Sequence, residues 1–461
     1  MTDRSNATEG VRAGWAVAVL FLAWPAAPAA EPALVVQSVS LFDVASGTMQ
    51  PNRTIVISGQ KIEAVGTPEH PAALPQGAVL LDGKGRFVIP GLIDAHVHLV
   101  HRLTYAHMTG DEVLPLFLAN GVTSVRDTGD EVVAQTLVAR HADAHPAQCP
   151  RVFRASGLID ASPPIHRDIG IGVTDPAQVP GLVEDMADWG VTTLKIYAGT
   201  GSPVGRRVIE EGHRRGLVVT GHLSAYAAQD AVADGIDCLE HIWSVFDFSI
   251  PPDVKKQPDH RATLDLDNPQ CRALVALLAR RKVPVDPTLT VFRNMLLLSD
   301  LEEVHRHADV ERVPERLRNS WHKYRQGQGL APSTRDRRRQ EFQKYKDLTG
   351  LLHRAGVPLL AGTDSPEPYC PPGFALHQEL ELLVESGLSP AAALQAATVN
   401  TARALKQADH LGSIAPGQLA DLVILAADPT ADIRNTRKIQ HVIRGGRVCD
   451  PQALLREVPK H

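Results

Sequence analysis

Through the middle of the chain, apolar residues recur with two different spacings, one typical of strands and the other typical of helices. Short apolar runs typical of strands occupy residues 92–99, 122–127, 151–159, 191–197, 217–223, 237–242, 283–289 and 357–364. Between them lie stretches with helical spacing of apolar residues, including 204–215 and 225–234. Eight strands separated by helices predict an α/β fold, a closed parallel (β/α)8 or TIM barrel. A doubly wound open sheet is the alternative, because alternation alone does not exclude it.

Both ends of the chain carry short β-like runs without intervening helices. Near the amino end these runs cover residues 33–42, 53–57, 61–65 and 78–81, separated by glycine-containing turns. Similar runs return at residues 412–414, 421–425 and 441–448. We therefore predict a small discontinuous β-sandwich domain formed by residues 31–90 and 411–461, with the barrel at 91–410.

Residues 1–30 have the pattern of a secretory signal peptide. Two arginines precede an apolar run over residues 15–24, and the small residues Ala27 and Ala29 suit a peptidase site. The run is shorter than the ~20 residues that span a bilayer, so cleavage is favoured over an uncleaved anchor. We expect an exported protein, periplasmic or secreted, with no membrane association after cleavage.

Composition narrows the class of partner. The chain has 461 residues, 44% of them hydrophobic, and a formal net charge of -5. Without a broad basic field, nucleic acid is not expected as a partner, and a small-molecule substrate is. Five cysteines stand without any Cys-x-x-Cys spacing, which argues against a zinc ribbon or a thioredoxin-like pair. A homo-oligomer is left open.

Metal-binding side chains stand at the ends of several predicted strands. His96 and His98 are two residues apart on the first strand, so their side chains share a face and can hold one cation. His222 and His241 end the fifth and sixth strands, and Asp364 ends the eighth, which abuts the first in a closed barrel. Because the carboxyl ends of barrel strands converge on one mouth, we predict a shared metal site there.

Lys195 lies in an apolar run of the fourth strand, where burying an unpaired ammonium is costly. A nearby carboxylate could pair with it. Alternatively, desolvation lowers its pKa and the neutral amine reacts with carbon dioxide to give a carbamate. A carbamate is anionic and has two oxygens, so it could bridge two cations. The residues alone leave both alternatives open.

These residues and the segments around them resemble the amidohydrolase superfamily. The likeness is carried by residues 90–98 (PGLIDAHVH), Lys195, His222, His241, 362–365 (GTDS), 388–398 and 412–423. It is greatest for the imidazolonepropionase-like branch. Within that branch, a lysine on the fourth strand resembles the binuclear prolidase and Xaa-Arg/Lys dipeptidase group. The resemblance covers residues 33–448.

The resemblance implies two divalent cations and a hydrolytic reaction. Zinc is the first expectation, although these ligands also suit manganese, cobalt or iron. The family pattern assigns the first cation to His96, His98 and Asp364, the second to His222 and His241, and the bridge to carbamylated Lys195. It also implies that a hydroxide held between the cations attacks an amide-like carbonyl, while Asp364 carries the proton to the leaving amine.

We therefore expect a hydrolase of carbon–nitrogen bonds in peptides, N-acyl amino acids or carbamates. A mononuclear deaminase or cyclic amidase of the same fold is the alternative, against which Lys195 argues because one cation needs no bridge. Lactone or phosphotriester hydrolysis also fits, since the same nucleophile attacks these bonds. The complete ligand set disfavours a metal-free exported binding protein.

Loop residues near the mouth are candidate substrate contacts. His166 and Arg167 follow the third strand and Tyr226 follows the fifth, where they could bind a carboxylate or stabilise an oxyanion. Loop residues of these types are more often only solvated. The highly charged stretch 300–350 precedes the eighth strand. It is interpreted either as a solvated helical excursion or as a lid over the mouth.

Overall fold

The computed structural model describes residues 32–296, 309–326 and 334–458. The predicted signal peptide and parts of the charged stretch 300–350 lie outside these residues. None of the helices within the described ranges is both long enough and apolar enough to cross a bilayer.

Strands and helices alternate through most of the described chain. The strands are β1 (Leu34–Asp43), β2 (Thr48–Ser58), β3 (Lys61–Gly66), β4 (Val79–Asp82), β5 (Phe87–Pro90), β6 (Leu92–Val97), β7 (Val122–Asp127), β8 (Arg151–Asp160), β9 (Gly170–Gly172), β10 (Thr193–Ile196), β11 (Val218–Gly221), β12 (Cys238–Glu240), β13 (Val285–Asp286), β14 (Leu422–Leu425), β15 (Ile439–Arg444) and β16 (Arg447–Cys449). The α-helices are α1 (His101–Tyr105), α2 (Leu114–Ala119), α3 (Val132–Ala144), α4 (Val179–Asp188), α5 (Ser202–Arg214), α6 (Ala228–Asp234), α7 (Ile242–Phe246), α8 (His260–Thr263), α9 (Pro269–Arg281), α10 (Leu289–Leu296), α11 (Glu315–Gln326), α12 (Arg335–Arg354), α13 (Phe374–Glu385), α14 (Pro390–Gln395), α15 (Thr401–Ala404) and α16 (Pro451–Glu457).

Seven strands form a parallel barrel in the spatial order β6-β7-β8-β10-β11-β12-β13. The eighth predicted strand is an extended segment between β13 and β6. The amide of Val285 donates to the carbonyl of Pro358 on one side, and the amide of Ala95 donates to the carbonyl of Ala361 on the other. Pro358 has no amide hydrogen and Asp364 has a φ of 60°, so a regular ladder cannot form there. The predicted TIM-barrel fold is confirmed, with an irregular eighth strand.

The chain ends form a second sheet, in the order β16-β15-β14-β5-β1-β2-β3, with β4 also paired to β1. The antiparallel pairing of β5 with β14 joins the two ends of the chain. The sheet curls back on itself, because residues next to β14 also bond β3: the amide of Ile62 donates to the carbonyl of Gln418 at 2.9 Å. This arrangement confirms a small β-domain built from both chain ends.

The β-domain packs against the amino-terminal ends of the barrel strands. The amide of Gly91, just before β6, donates to the carbonyl of Asp421. Arg151, the first residue of β8, pairs with the Asp421 carboxylate at 3.2 Å. The opposite, carboxyl ends of the strands are therefore left for a functional site, as is usual in barrels of this type.

Helix α11, within the charged stretch 300–350, lies over loops at the carboxyl ends of the strands. The indole nitrogen of Trp321 donates to the carbonyl of Pro366 at 3.0 Å. His322 contacts the hydroxyl of Tyr369 at 3.1 Å. Arg316 donates to the carbonyl of His107 at 2.7 Å. The described part of this stretch is helical, and α11 forms one side of the barrel mouth.

Candidate active site

A cavity of about 280 Å³ opens at the carboxyl ends of the barrel strands. Its polar lining consists of His96, His98, His101, Arg102, His166, Lys195, Tyr197, His222, His241, Asp364 and Glu367. All six predicted metal ligands are therefore brought together in one place. Apolar side chains of α10, among them Phe292 and Met295, together with Leu158 and Ile169, form the remaining wall.

His96, His98 and Asp364 form a compact group of potential ligands. Asp364 Oδ1 lies 3.6 Å from His96 Nε2 and 3.2 Å from His98 Nε2. The other nitrogen of each ring is occupied: His96 Nδ1 contacts Glu240 at 2.9 Å, and His98 Nδ1 contacts the carbonyl of Gly129 at 3.1 Å. Because both acceptors require a protonated Nδ1, each Nε2 can present a lone pair to a cation.

His222 and His241 lie beside this group. The ring of His241 is 4.6 Å from that of His96 and 4.6 Å from that of His222, measured between centroids. The Nδ1 atom of His241 contacts the hydroxyl of Thr288 at 2.8 Å, which orients the ring. The rings of the four histidines are thus adjacent, and each offers a nitrogen atom that could bind a metal ion.

Lys195 is 1% exposed, and its Nζ atom has no hydrogen-bond partner among the described residues. The ion-pair alternative is therefore not seen in the described structure. Desolvation lowers the pKa of the Lys195 ammonium, although the charge of Glu240 opposes this effect. The cavity therefore contains a buried amine whose positive charge is disfavoured.

The backbone is strained at two of the predicted ligands. His241 has a φ of 66° and Asp364 a φ of 60°, in the left-handed region that side chains disfavour. Such strain persists only where the surroundings enforce it, and it is concentrated at functional sites. Close packing also explains Gly362, where an added Cβ would lie 2.1 Å from Asp286 Oδ2 and 2.6 Å from His96 Cβ.

A buried network supports His96 from beneath the cavity. Glu240 contacts His96 through Oε2, while its Oε1 accepts from Arg126 at 2.6 Å and from the hydroxyl of Thr220. Burial alone would raise the pKa of Glu240, but Arg126 and Lys195 hold it well below its usual range. Glu240 was not predicted as a site residue from the sequence. Its signal was an acidic residue inside an apolar strand, directly before His241.

The protonation of the histidines differs across the cavity. Burial and the charge of Lys195 lower the pKa of His96 to about 4 and that of His222 to about 3, so both rings are neutral near pH 7. Burial opposes protonation of His98, but the carboxylates of Asp364 and Asp130 raise its pKa to about 9. His98 and Asp364 thus form an ion pair, and a bound cation would displace the proton of His98.

Of the three predicted substrate contacts, the structure brings only His166 to the cavity. Its Nε2 atom lies 3.0 Å from the hydroxyl of Tyr197. Arg167 is exposed and lies outside the cavity lining. Tyr226 is buried, and its hydroxyl donates to Asp234 at 2.6 Å. The Tyr226 ring packs where Gly205 of α5 lacks a side chain, so it contributes to helix packing.

Two further residues at the mouth, His101 and Arg102, were not predicted from the sequence. His101 contacts Asp168 at 2.7 Å, and Arg102 donates to Glu367 at 2.5 Å. His101 lies three residues after His98, and Glu367 lies three residues after Asp364. A signal was therefore present, since loops that follow barrel strands lie at the mouth.

The chain is similar in sequence to several known proteins. Adenine deaminase 3 of Rhizobium meliloti (strain 1021) is 24% identical over 445 residues, which are 93% of this chain and 60% of that protein. Imidazolonepropionase of Geobacillus kaustophilus (strain HTA426) is 37% identical over 113 residues, 23% of this chain and 25% of that protein. The chain thus spans less than two thirds of these curated relatives.

A crystal structure of a putative prolidase from Bifidobacterium longum matches with a TM-score of 0.70 and 25% identity. The match covers 93% of this chain and 99% of the prolidase chain. The sequence pattern of the Amidohydrolase family covers residues 87–449, from the last strand of the first β-segment through the whole barrel. The chain therefore belongs to the amidohydrolase family.

Proposed function

We propose that the chain is a metal-dependent hydrolase of amide-like bonds in peptides, N-acyl amino acids or carbamates. The observation that carries this proposal concerns Lys195, whose Nζ atom has no hydrogen-bond partner among the described residues. This atom lies in a cavity lined by His96, His98, His222, His241 and Asp364. Burying an amine without a partner costs free energy. Conversion of the amine to a carbamate that binds cations would remove this cost.

The donors in the cavity fit divalent cations of the zinc type. Neutral imidazole nitrogens and a carboxylate are ligands that zinc accepts, and that manganese, cobalt and iron also tolerate. His96 Nε2 is buried without a hydrogen-bond partner among the described residues, as a ligand atom awaiting a cation would be. We propose two cations, held by His96, His98 and Asp364 and by His222 and His241.

Lys195 would join the two sites after reacting with carbon dioxide. The lone pair of the neutral amine forms an N–C bond with the carbon of CO₂, the electrons of one C=O π bond move to oxygen, and the nitrogen loses one proton to solvent. The product is a carbamate with one negative charge and two oxygens. The lowered pKa of Lys195 favours the neutral amine that this reaction requires. Cations held by the neighbouring histidines and Asp364 would balance the negative charge of this carbamate.

The chain's own residues would orient the substrate and move the proton. Bound cations would supply an activated water and polarise the scissile carbonyl. Asp364 is ionised, because the neighbouring histidines hold its pKa well below the usual range despite burial. We propose that Asp364 takes the proton of the attacking water and passes it to the leaving nitrogen. His166 and Tyr197, whose ring lies 4.9 Å from that of His222, would offer hydrogen bonds to a substrate carboxylate or oxyanion.

Deamination is the second candidate function. It is favoured by the match to adenine deaminase 3, which covers 93% of this chain at 24% identity. The bifidobacterial protein, described as a putative prolidase, favours amide hydrolysis instead. The two reactions share the nucleophile and differ in the leaving group, which is ammonia in one case and a substituted amine in the other.

A substrate panel and a metal count would test the proposal together. The panel contains N-acyl amino acids, Xaa-Pro and Xaa-Lys dipeptides, aryl carbamates and adenine, assayed with metal-loaded and chelated protein. We expect hydrolysis of an amide-like substrate, loss of activity on chelation and two metal equivalents per chain by elemental analysis. Hydrolysis of adenine alone, or full activity without metal, would overturn the proposal.

The carbamate is tested separately with ¹³C-labelled carbon dioxide. A carbonyl signal bound to the protein should appear in the NMR spectrum of the wild type and disappear in Lys195→Ala. Lys256→Ala, at an exposed lysine outside the cavity, is the matched control and should retain the signal. We also propose that the mature enzyme is exported to the periplasm or secreted, which fractionation of cells expressing the full chain would show.

A further inference from the structure

A second cavity, of about 370 Å³, opens beside the catalytic cavity on the side formed by α11. Its lining includes Arg102, Tyr105, Trp321, Lys323 and Tyr324. The volume falls in the range of roughly 300–1,000 Å³ that is usual for small-molecule sites. None of the side chains proposed for hydrolysis lines this cavity, so its function is separate from the chemical step.

Arg102 connects the two cavities, because its side chain lines both. Its Nε atom donates to Glu367 Oε1 at 2.5 Å, and Glu367 itself lines the catalytic cavity. The Arg102–Glu367 ion pair therefore forms part of the boundary between the two cavities. A substrate held at Asp364 could extend past this pair into the second cavity.

The walls of the second cavity are aromatic. The guanidinium carbon of Arg102 lies 5.9 Å from the ring centroid of Tyr105 and 5.5 Å from that of Tyr324. Tyr105 is 59% exposed, so much of its ring is accessible to a ligand. Trp321 is 2% exposed and is fixed by its hydrogen bond to Pro366. Tyr105 and Tyr324, which are exposed or half-buried, offer ring surfaces on which a flat ligand can stack, and the buried Trp321 supports the cavity wall.

The charge of the second cavity is positive. Glu367 forms an ion pair with Arg102 on the side of the catalytic cavity, and this pair neutralises the charge of Arg102. Lys323 is exposed on α11 next to Tyr324 and makes no ion pair with any residue that the structure describes. No acidic side chain is among the described residues that line the cavity. A positive field of this kind favours an anionic ligand.

We propose that the second cavity is a subsite for a flat aromatic group that carries an anionic substituent. The group would belong to the part of the substrate farthest from the scissile bond. The preferred substrates would then be amides with an anionic aromatic portion, as opposed to small aliphatic dipeptides. This inference deepens the proposed function and rests on it only for the claim that the aromatic group is part of the substrate.

Binding of benzenesulfonate to the metal-loaded chain tests the subsite. Cyclohexanesulfonate has the same charge without the aromatic ring, and benzyl alcohol has the ring without the charge. Isothermal titration calorimetry or ligand-observed NMR gives the three dissociation constants. We expect benzenesulfonate to bind about threefold to tenfold more tightly than either relative, because ring stacking and charge each contribute modestly. Equal binding of all three probes would overturn the proposal.

Two substitutions locate the bound probe. Tyr324→Leu removes a stacking surface and should weaken benzenesulfonate binding about threefold to tenfold. Lys323→Ala should weaken it about twofold to fivefold and reduce its dependence on ionic strength. Trp189→Leu and Lys256→Ala are the matched controls, since both residues lie outside the two cavities. If Tyr324→Leu fails to fold, Lys323→Ala still provides the test, because Lys323 is exposed and its replacement should leave the fold intact.

The variants also distinguish specific from unspecific binding. If neither cavity variant changes the dissociation constant, or if the controls weaken binding equally, the probe binds elsewhere and the subsite is refuted. The readout requires no turnover, so a chain that hydrolyses nothing in the substrate panel still tests the subsite. Where a substrate is found, benzenesulfonate should raise its KM and leave kcat unchanged. Activity on amides without benzenesulfonate binding would refute the subsite alone.

Discussion

Arg126 and Lys195 are both buried inside the barrel, yet their surroundings differ. Beneath the cavity, Arg126 donates to Glu240 and to the carbonyl of Ala95. In the cavity wall, the Nζ atom of Lys195 has no such partner among the described residues. Both groups are buried, but among the described residues only Arg126 has replacement contacts, which its Nε and Nη2 atoms make while its Nη1 atom has none. The comparison indicates that the network of Arg126 stabilises the fold, whereas the position of Lys195 is maintained at a cost to stability.

The largest effect is expected at Asp364, which lines the same cavity as Lys195. Asp364→Asn keeps the shape and the oxygen ligand but removes the proton acceptor. We expect kcat to fall by about 10³, or about 4 kcal/mol, with both metal equivalents retained. Steady-state kinetics and elemental analysis would measure this, with Asp253→Asn at an exposed position as control. A normal kcat in Asp364→Asn would refute the proton-transfer role.

The next largest effect is expected beneath the cavity. Arg126→Met leaves Glu240 buried without its main partner, so we expect the free energy of unfolding to fall by about 3 kcal/mol. Urea denaturation would measure it. The same substitution at the exposed residue, Arg167→Met, is the control. A loss below about 1 kcal/mol would show that the Arg126 network is not what stabilises this region.

Glu240 lies between the two regions and should affect metal binding more than folding. Glu240→Gln preserves the volume but weakens the contact that orients His96. We expect metal affinity to fall about tenfold to a hundredfold, as is typical for residues that orient metal ligands. Competition with a chelator of known affinity provides the measurement. Unchanged affinity would mean that His96 is oriented by other contacts, for example with Asp286 at 3.8 Å.

Lys195→Met should change the free energy of unfolding by a smaller amount, and it should raise this free energy where Arg126→Met lowers it. Methionine fills a similar volume without a buried amine, so the chelated protein should become more stable by about 1–2 kcal/mol. Thermal unfolding in the presence of chelator would show this, while metal content falls below two equivalents. Lower stability of the chelated variant would contradict the interpretation that Lys195 is unpartnered in the folded state.

The smallest effect is expected away from the cavity. Tyr226→Phe removes the hydrogen bond to Asp234, and we expect about 1 kcal/mol of stability to be lost. Because the Tyr226 ring packs against α5, the KM of any substrate should be unchanged. A raised KM with unchanged stability would instead return Tyr226 to the substrate-binding role predicted from its position in the sequence.

Sequence patterns predicted the parts of the site that depend on strand periodicity. His96 and His98 share a face because side chains alternate along a strand, and the strand ends meet because the barrel is closed. The contact of Glu240 with Arg126 could not be predicted, because it depends on how side chains of non-adjacent strands fill the barrel interior. Loop position also did not reveal that Tyr226 points between helices.

The shared β-domain has a consequence for how the polypeptide is made. Strand β5 acquires its antiparallel neighbour β14 only after the entire barrel has been synthesised. Until then, the edge of β5 is open to pairing with other chains. Premature termination before β14 should therefore yield an insoluble product instead of a smaller enzyme, because the first strands would lack the partner that completes their sheet.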